Sequence, residues 1–356
     1  MPTHDGKLGF CVVGCGMIAR FHAKALSEIP DCRLTTLVSR SLPAAARMRD
    51  DLDVGELTLS TNLEQAVNRA DVDVVIVTTP SGIHHQAAIA AAGAGKHVVV
   101  EKPLEITVER CDEIIAACQR HNVKLCTIFP SRFHDANRAL QSAITAGRFG
   151  RLTLGETTCK WWRSQQYYDD GGWKGTQALD GGGALMNQAI HNVDLLLWMM
   201  GRATHVSGFT ATLAHERIEV EDTAVATIQF ASGALGVIQA CTSAFPGLPK
   251  TIAIHGNQGS VVIEQEDVIR WEFQKEEPQD KFIREKMAQR TGASGGAADP
   301  KSISHQGHLR QLADFVDAIR QNRQPLVDGR EGRRAVVLIQ AIYESMRQGR
   351  VITIPE

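Results

Sequence analysis

Neither sign of charge dominates this 356-residue chain: 38 lysines and arginines face 40 acidic residues, for a formal net charge of -2. With both signs mixed along the chain, no broad attraction to nucleic acid or anionic lipid is expected, and a small, locally recognised substrate is. There is no apolar run of the length that a signal peptide or spanning helix requires. The polar stretch Met1 to Lys7 leads directly into a short apolar strand, so the expected location is the cytoplasm, with no membrane partner. Cys-x-x-Cys pairs are missing as well. The eight cysteines (Cys11, Cys15, Cys32, Cys111, Cys118, Cys126, Cys159, Cys241) fall singly, several inside apolar strand or helix patterns. That favours reduced, buried thiols over a disulfide framework or zinc site, and no metal is expected. Internal repeats and low-complexity arrays are lacking too.

What is present is enough apolar residue, 43% of the chain, to fill one or two cores in a length that suggests two domains. From Leu8 to about Phe129 short apolar runs alternate with helical stretches. The runs are Leu8 to Val13, Leu34 to Val38, Val72 to Thr78, Val98 to Val100 and Leu125 to Phe129; Ile18 to Glu28, His84 to Ala94 and Val108 to His121 read as helices. This is the pattern of a doubly wound α/β domain with a parallel sheet. Beyond Arg148 longer alternating segments predict a mostly antiparallel sheet, among them Thr223 to Phe230, Leu235 to Cys241, Thr251 to His255 and Ser260 to Glu264. Lys275 to Ser304, charged and then rich in Gly and Ala, predicts a mobile surface excursion with at most a short helix. Two amphipathic helices, Leu309 to Asn322 and Arg330 to Gln348, close the chain.

Directly after the first run stands Gly14-Cys15-Gly16-Met17-Ile18-Ala19, a GxGxxA turn opening a helix. The first glycine permits the turn, the second lets backbone amides approach a pyrophosphate, and the small third residue lets helix and strand pack closely. With Met17 and Ile18 beginning the helix, its positive N-terminal end faces the phosphates, and a nicotinamide dinucleotide is the expected ligand. At the end of the second run, where a carboxylate would bind an NAD ribose, stand Ser39 and Arg40. Ser39 removes the repulsion toward a 2′-phosphate, and Arg40 offers it a guanidinium, so NADP(H) is expected over NAD(H). An exposed Arg40 with no ligand is the plainer alternative.

The fourth run ends in Glu101-Lys102-Pro103, at the sheet edge where open α/β sheets bind ligands. Lys102 is therefore a candidate to meet the nicotinamide and a substrate hydroxyl. Farther on, Asp180-Gly181-Gly182-Gly183 leads into a helix on which Asn187 and His191, four apart, share a face. Alcohol oxidation needs a proton acceptor of near-neutral pKa, which imidazole supplies; a lone helical histidine is otherwise a satisfied structural residue. Between Trp161 and Thr176 aromatic and cationic residues interleave. Trp162, Arg163, Tyr168 and Lys174 suit a sugar's apolar C–H patches and hydroxyl rim, or simply pack the loop. The adjacent pair His84-His85 points in two directions and does not form a metal site.

These motifs, with Thr79-Pro80-Ser81 and His84, the run Gly95 to Pro103, Asp314 to Ile319, Pro325-Leu326-Val327 and Ala341 to Ser345, resemble the Gfo/Idh/MocA oxidoreductases over nearly the whole chain. The resemblance implies an N-terminal Rossmann domain (1–129) and a C-terminal α/β domain with a large open, mostly antiparallel sheet (130–330). A last helix and tail (331–356) would pack back toward the Rossmann domain. It further implies substrate held between the domains, Lys102 positioning the reacting hydroxyl, His191 as acid/base, and Thr79, Pro80, His84, Glu101 and Pro103 around the cofactor. Many members carry aspartate four residues before the histidine; Asn187 stands there here, so a Lys–Asp–His relay is unavailable. The implied activity is hydride exchange with a hydroxyl-bearing carbon of a sugar, polyol or sugar derivative, in a homodimer or homotetramer. Two alternatives use the same fold: an NAD-dependent glycosidase with transient sugar oxidation, whose cofactor shows no net turnover, and a noncatalytic dinucleotide sensor. Retention of Lys102 and His191 argues against the sensor.

Overall fold

Valine-rich runs that are apolar on both faces build the first sheet. In the computed structural model, which describes residues 6–52, 56–170, 172–287 and 304–355, they are β1 (Leu8–Val13), β2 (Cys32–Val38), β3 (Thr58–Ser60), β4 (Val74–Val77), β5 (His97–Val100) and β6 (Leu125–Thr127). All pair in parallel in the order β3-β2-β1-β4-β5-β6. This is the Rossmann order, reversing between β1 and β4. Helices Met17–Ser27, Leu42–Asp51, His84–Gly93 and Val108–Arg120 make crossovers.

The second sheet contains β7 (Leu152–Lys160), β8 (Ala203–Ala211), β9 (Thr223–Phe230), β10 (Leu235–Cys241), β11 (Thr251–Gly256), β12 (Gly259–Glu264), β13 (Asp267–Phe273) and β14 (Ile352–Thr353). Its order is β13-β12-β11-β7-β10-β9-β8-β14, antiparallel except for β7 against β10. Strict alternation along β9 sends Ala224, Ala226, Ile228 and Phe230 inward and leaves Val225 exposed. Helix Ile190–Met200 covers the inner face so closely that a Cβ on Gly155 of β7 would lie 2.6 Å from Met200 Cγ. Arg132 anchors that helix through a buried two-pronged pair with Asp194, at 2.8 and 2.6 Å.

The compact units differ from the expected division at 129 and 330. One comprises 1–130 with 305–333, the other 131–304 with 334–356. Amphipathicity explains the first change: helix Gln306–Arg320 puts Leu312, Phe315 and Val316 into the Rossmann core beside Phe10, Val12 and Leu26. The Val327 carbonyl then accepts the Thr127 amide of β6 at 3.1 Å. The last helix, Gly329–Gln348, begins in the Rossmann unit, where Arg333 Nε donates to Asp112 at 2.5 Å, and from Arg334 belongs with the second sheet. There Ser345 Oγ accepts the Gly208 amide of β8 at 3.2 Å, and β14 pairs with β8.

The charged stretch after Lys275 begins with helix Pro278–Met287; the rest of that expected excursion, 288–303, lies outside the described residues. Asp280 ties this helix to the sheet by accepting from Arg148 (2.7 Å to each oxygen) and Trp271 Nε1 (2.7 Å). Burial would raise its carboxyl, but these donors and the Glu277 amide hold it down to about 2. A folded-state pKa below the unfolded value near 3.9 contributes stability that is present above about pH 4 and lost as pH falls toward 2. Asp280→Asn is therefore expected to cost about 2 kcal/mol at pH 7 and less at pH 3, read by urea unfolding at both values. Among the described residues no helix is long and apolar enough to cross a membrane.

Candidate functional site

The Rossmann unit carries one group of candidate residues. β1 ends at Val13, and Gly14 turns the chain with φ +103; a Cβ there would stand 2.8 Å from the Thr78 carbonyl. Thr78 Oγ1 closes the same junction by donating to the Gly14 carbonyl at 2.8 Å. Gly16 and Met17 are exposed at the start of helix Met17–Ser27, whose first amides have no partner within the helix. Ile18 is half-buried behind them. At the end of β2, Ser39 is half-buried, its amide donating to the Ser60 carbonyl at 3.0 Å, and Arg40 is exposed.

Two further segments come together at the carboxyl ends of β4 and β5. His84 is buried, its Nδ1 2.9 Å from the Pro103 carbonyl and its Nε2 2.9 Å from the Thr79 carbonyl, so one imidazole links Thr79-Pro80 to Glu101-Lys102-Pro103. Burial lowers its basicity. Its neighbour His85 points away and pairs with Glu113. Lys102 is half-buried beside the buried Glu101. Glu101 contacts two histidines that the sequence did not single out. His22 Nε2 stands 2.7 Å from Glu101 Oε1, and His308 Nε2 stands 3.6 Å from the same oxygen.

The second unit carries the other group. Ala184–Ala189 is a π-helix and runs into α-helix Ile190–Met200, so the α-helical spacing expected from Asn187 to His191 is not kept. π-Turns of this kind recur at functional sites. Both residues are half-buried. The glycines before them are required by close approach: a Cβ on Gly182 would lie 2.1 Å from Tyr343 Oη, and one on Gly183 1.8 Å from the Glu221 carbonyl. Glu221, buried, accepts the Gly183 amide (2.9 Å) and the Leu185 amide (2.8 Å), two donors at the helix start, and the Tyr343 hydroxyl at 3.0 Å. Burial pushes its carboxyl up despite these donors. Asn187 Nδ2 donates to the buried Asp180 at 2.7 Å, and the other Asp180 oxygen accepts the Gly175 amide at 2.9 Å. A carboxylate thus stands behind the asparagine.

The aromatic and cationic stretch divides. Tyr168 is buried with its hydroxyl 2.8 Å from Thr242 Oγ1, so the substrate wall expected of it is instead packing. Trp162 bridges to Ser243 and meets the exposed Phe245 edge to face. Tyr167, its neighbour, is the ring on which the cations converge: Lys174 Nζ lies 3.7 Å from its centroid and the Arg163 guanidinium 5.4 Å. Gln188, on the π-helix, donates to Tyr167 Oη at 3.0 Å and accepts from Arg163 at 3.1 Å. Burial lowers the basicity of Lys174. Arg163 is buried, its guanidinium donating to the Trp162 carbonyl as well as to Gln188, while Lys174 is half-buried and can present its ammonium to an anionic or hydroxylated ligand.

Residues 8–129 match the model of the oxidoreductase family with an NAD-binding Rossmann fold, and residues 137–262 match the GFO/IDH/MocA C-terminal domain. The WlbA dehydrogenase of Bordetella pertussis, solved with NADH and UDP-GlcNAcA, is 33% identical with a TM-score of 0.90, covering 100% of both chains. Myo-inositol 2-dehydrogenase of Thermotoga maritima is 25% identical over 97% of this chain and 98% of its own. Levoglucosan dehydrogenase of Pseudarthrobacter phenanthrenivorans is 25% identical over 98% of this chain and 99% of its own. With its Rossmann sheet, its glycine turn and its open second sheet, the chain belongs to the Gfo/Idh/MocA family of NAD(P)-dependent oxidoreductases.

Proposed function

We propose that the chain exchanges hydride between a nicotinamide dinucleotide and a hydroxyl-bearing carbon of a sugar derivative that carries a carboxylate, of the nucleotide-linked uronate class. The observation that carries this reading is the half-buried Lys174 over the Tyr167 ring, with the buried Arg163 and Gln188 behind it, which sets a cation against an aromatic face. The UDP-GlcNAcA held by WlbA, the relative at 33% identity, has that chemistry. Lys102 positions the reacting hydroxyl and His191 takes its proton, while Asn187, held by Asp180, binds a substrate oxygen. Gly14, Gly16, Met17, Ile18, Thr79, Pro80 and His84 line the dinucleotide. Val225 and Leu235, exposed on the open sheet face, support association into a homodimer or homotetramer. A panel of free sugars, polyols and UDP-sugars, with and without a carboxylate, tests the substrate class. The reading predicts turnover of UDP-uronates at least tenfold above the matching neutral UDP-sugars; equal turnover contradicts it.

For the cofactor the reading is NADP(H) over NAD(H), resting on Ser39 and the exposed Arg40 at the end of β2. Arg40→Ala is expected to weaken NADP(H) by about tenfold or more, the loss of one charged hydrogen bond, and NAD(H) much less. Ser39→Asp is expected to shift preference toward NAD(H). Titrations of both dinucleotides check both variants. Equal losses on Arg40→Ala would mean that the guanidinium only stacks on adenine.

A further inference from the structure

Within the Rossmann unit, the carboxylate next to Lys102 is deeply enclosed. His22, from helix Met17–Ser27, is fully buried; Glu101 is 5% exposed; His308, from helix Gln306–Arg320, is 4% exposed. Their donor atoms lie within 4.8 Å of one another, a grouping that could in principle ligate a metal ion. Two observations speak for a hydrogen-bonded cluster instead. The 2.7 Å between His22 Nε2 and Glu101 Oε1 is a hydrogen-bond length, whereas two atoms that share a zinc ion at about 2.0–2.2 Å each stand farther apart. Metal-bound histidines also donate from their second nitrogen, and the buried Nδ1 atoms of His22 and His308 have no hydrogen-bond partner among the described residues. In both rings it is Nε2 that faces the carboxylate.

The cluster has a direction. While Glu101 Oε1 faces the histidines, Oε2 accepts the backbone N–H of Lys102 at 3.1 Å. The rings of His22 and His308 meet edge to face at 5.2 Å, and Phe21 packs on His308 at 6.1 Å, so neither imidazole has room to swing. Burial lowers the basicity of His22, while the two histidines outweigh burial at Glu101 and hold its carboxyl well below the usual range. A fixed carboxylate thus grips the main chain where β5 ends and Lys102 leaves the sheet.

We propose that His22 and His308 are positioning residues for hydride transfer: they fix Glu101, which fixes the backbone of Lys102 and so the approach of its ammonium to the substrate hydroxyl. This rests on the reading of Lys102 given above. Because reacting groups tolerate little misplacement, loosening the cluster lowers turnover more than it lowers binding.

The test uses the full-length protein with NADP+ as the hydride acceptor. Glu101→Gln, His308→Leu and His308→Gln are compared with the wild type for kcat on the best UDP-uronate, for dinucleotide Kd, and for acylation of Lys102 by acetic anhydride relative to the exposed Lys24. Glu101→Gln and His308→Leu are expected to lower kcat by about tenfold or more and to alter the ratio of Lys102 to Lys24 acylation at least threefold, with Kd changed less than threefold in His308→Leu. His308→Gln, which can return an N–H donor near the lost Nε2, is expected to recover much of the kcat lost in His308→Leu. If Glu101→Gln fails to fold, the two His308 variants decide. Unchanged kcat and unchanged Lys102 acylation overturn the proposal, as does one equivalent of metal in the wild type that is lost from His308→Leu. If Lys102→Met itself keeps full turnover, the catalytic reading of Lys102 has failed and the proposal with it; if Lys102→Met is inactive while the cluster variants behave as wild type, only the positioning proposal has failed.

Discussion

His191→Ala is expected to lower kcat by about 10²-fold or more while leaving dinucleotide affinity nearly unchanged, the loss that follows removal of a general base. His191 is half-buried in the first turn of helix Ile190–Met200, outside the Rossmann unit that carries the glycine turn. Its removal takes away a proton acceptor without touching the groups proposed to hold the phosphates. The fold should tolerate it, because the helix is anchored by Arg132 with Asp194 and by Leu196 and Met200 against Gly155. In the proposed mechanism the hydroxyl proton leaves to the imidazole as hydride leaves the carbon. Rates of oxidation, with fluorescence titration of the dinucleotide, check both parts; wild-type-like turnover in a folded variant would remove His191 from the mechanism.

Lys102→Met is expected to have an effect of similar size, about 10²-fold on kcat, because a cationic donor to the reacting oxygen is lost where charge develops. Met keeps the length and apolar stem of the side chain, and the Lys102 backbone contact with Glu101 does not depend on the ammonium. Unfolding midpoints should therefore stay near wild type. A variant that instead loses stability and turnover together would identify a structural lysine. Measuring kcat, substrate KM and thermal unfolding on one preparation separates the cases.

Both folding units were legible in outline. The apolar runs at β1, β4, β5 and β6 and the alternation in β9 and β10 report burial on two faces and on one, and burial is what sets the pattern. The ownership of the closing helices was not legible: an amphipathic stripe such as Leu312, Phe315 and Val316 says that a helix packs, not on which core. At the candidate site, order and spacing single out the glycine turn and Glu101-Lys102-Pro103. They do not single out the partners that hold them. Glu221 is 36 residues from Leu185, and His308 is far along the chain from Glu101, and no local pattern marks such pairs. Tyr167 and Tyr168 stand side by side in sequence, and only the burial of Tyr168 separates the packing ring from the one facing Lys174. The π-helix was likewise hidden, because its residues Ala184–Ala189 have ordinary helical composition.

The most direct test of hydride transfer is the fate of the hydrogen itself. A UDP-uronate deuterated at every ring carbon would be incubated with stoichiometric enzyme and oxidised dinucleotide, and the nicotinamide and sugar recovered for mass spectrometry and NMR. The proposed function predicts one deuterium at C4 of the reduced nicotinamide and a sugar product that has become a ketone at a single ring carbon. A sugar that is altered while the nicotinamide remains oxidised and free of deuterium, or a dinucleotide that binds tightly and is reduced by no member of the panel, would contradict it.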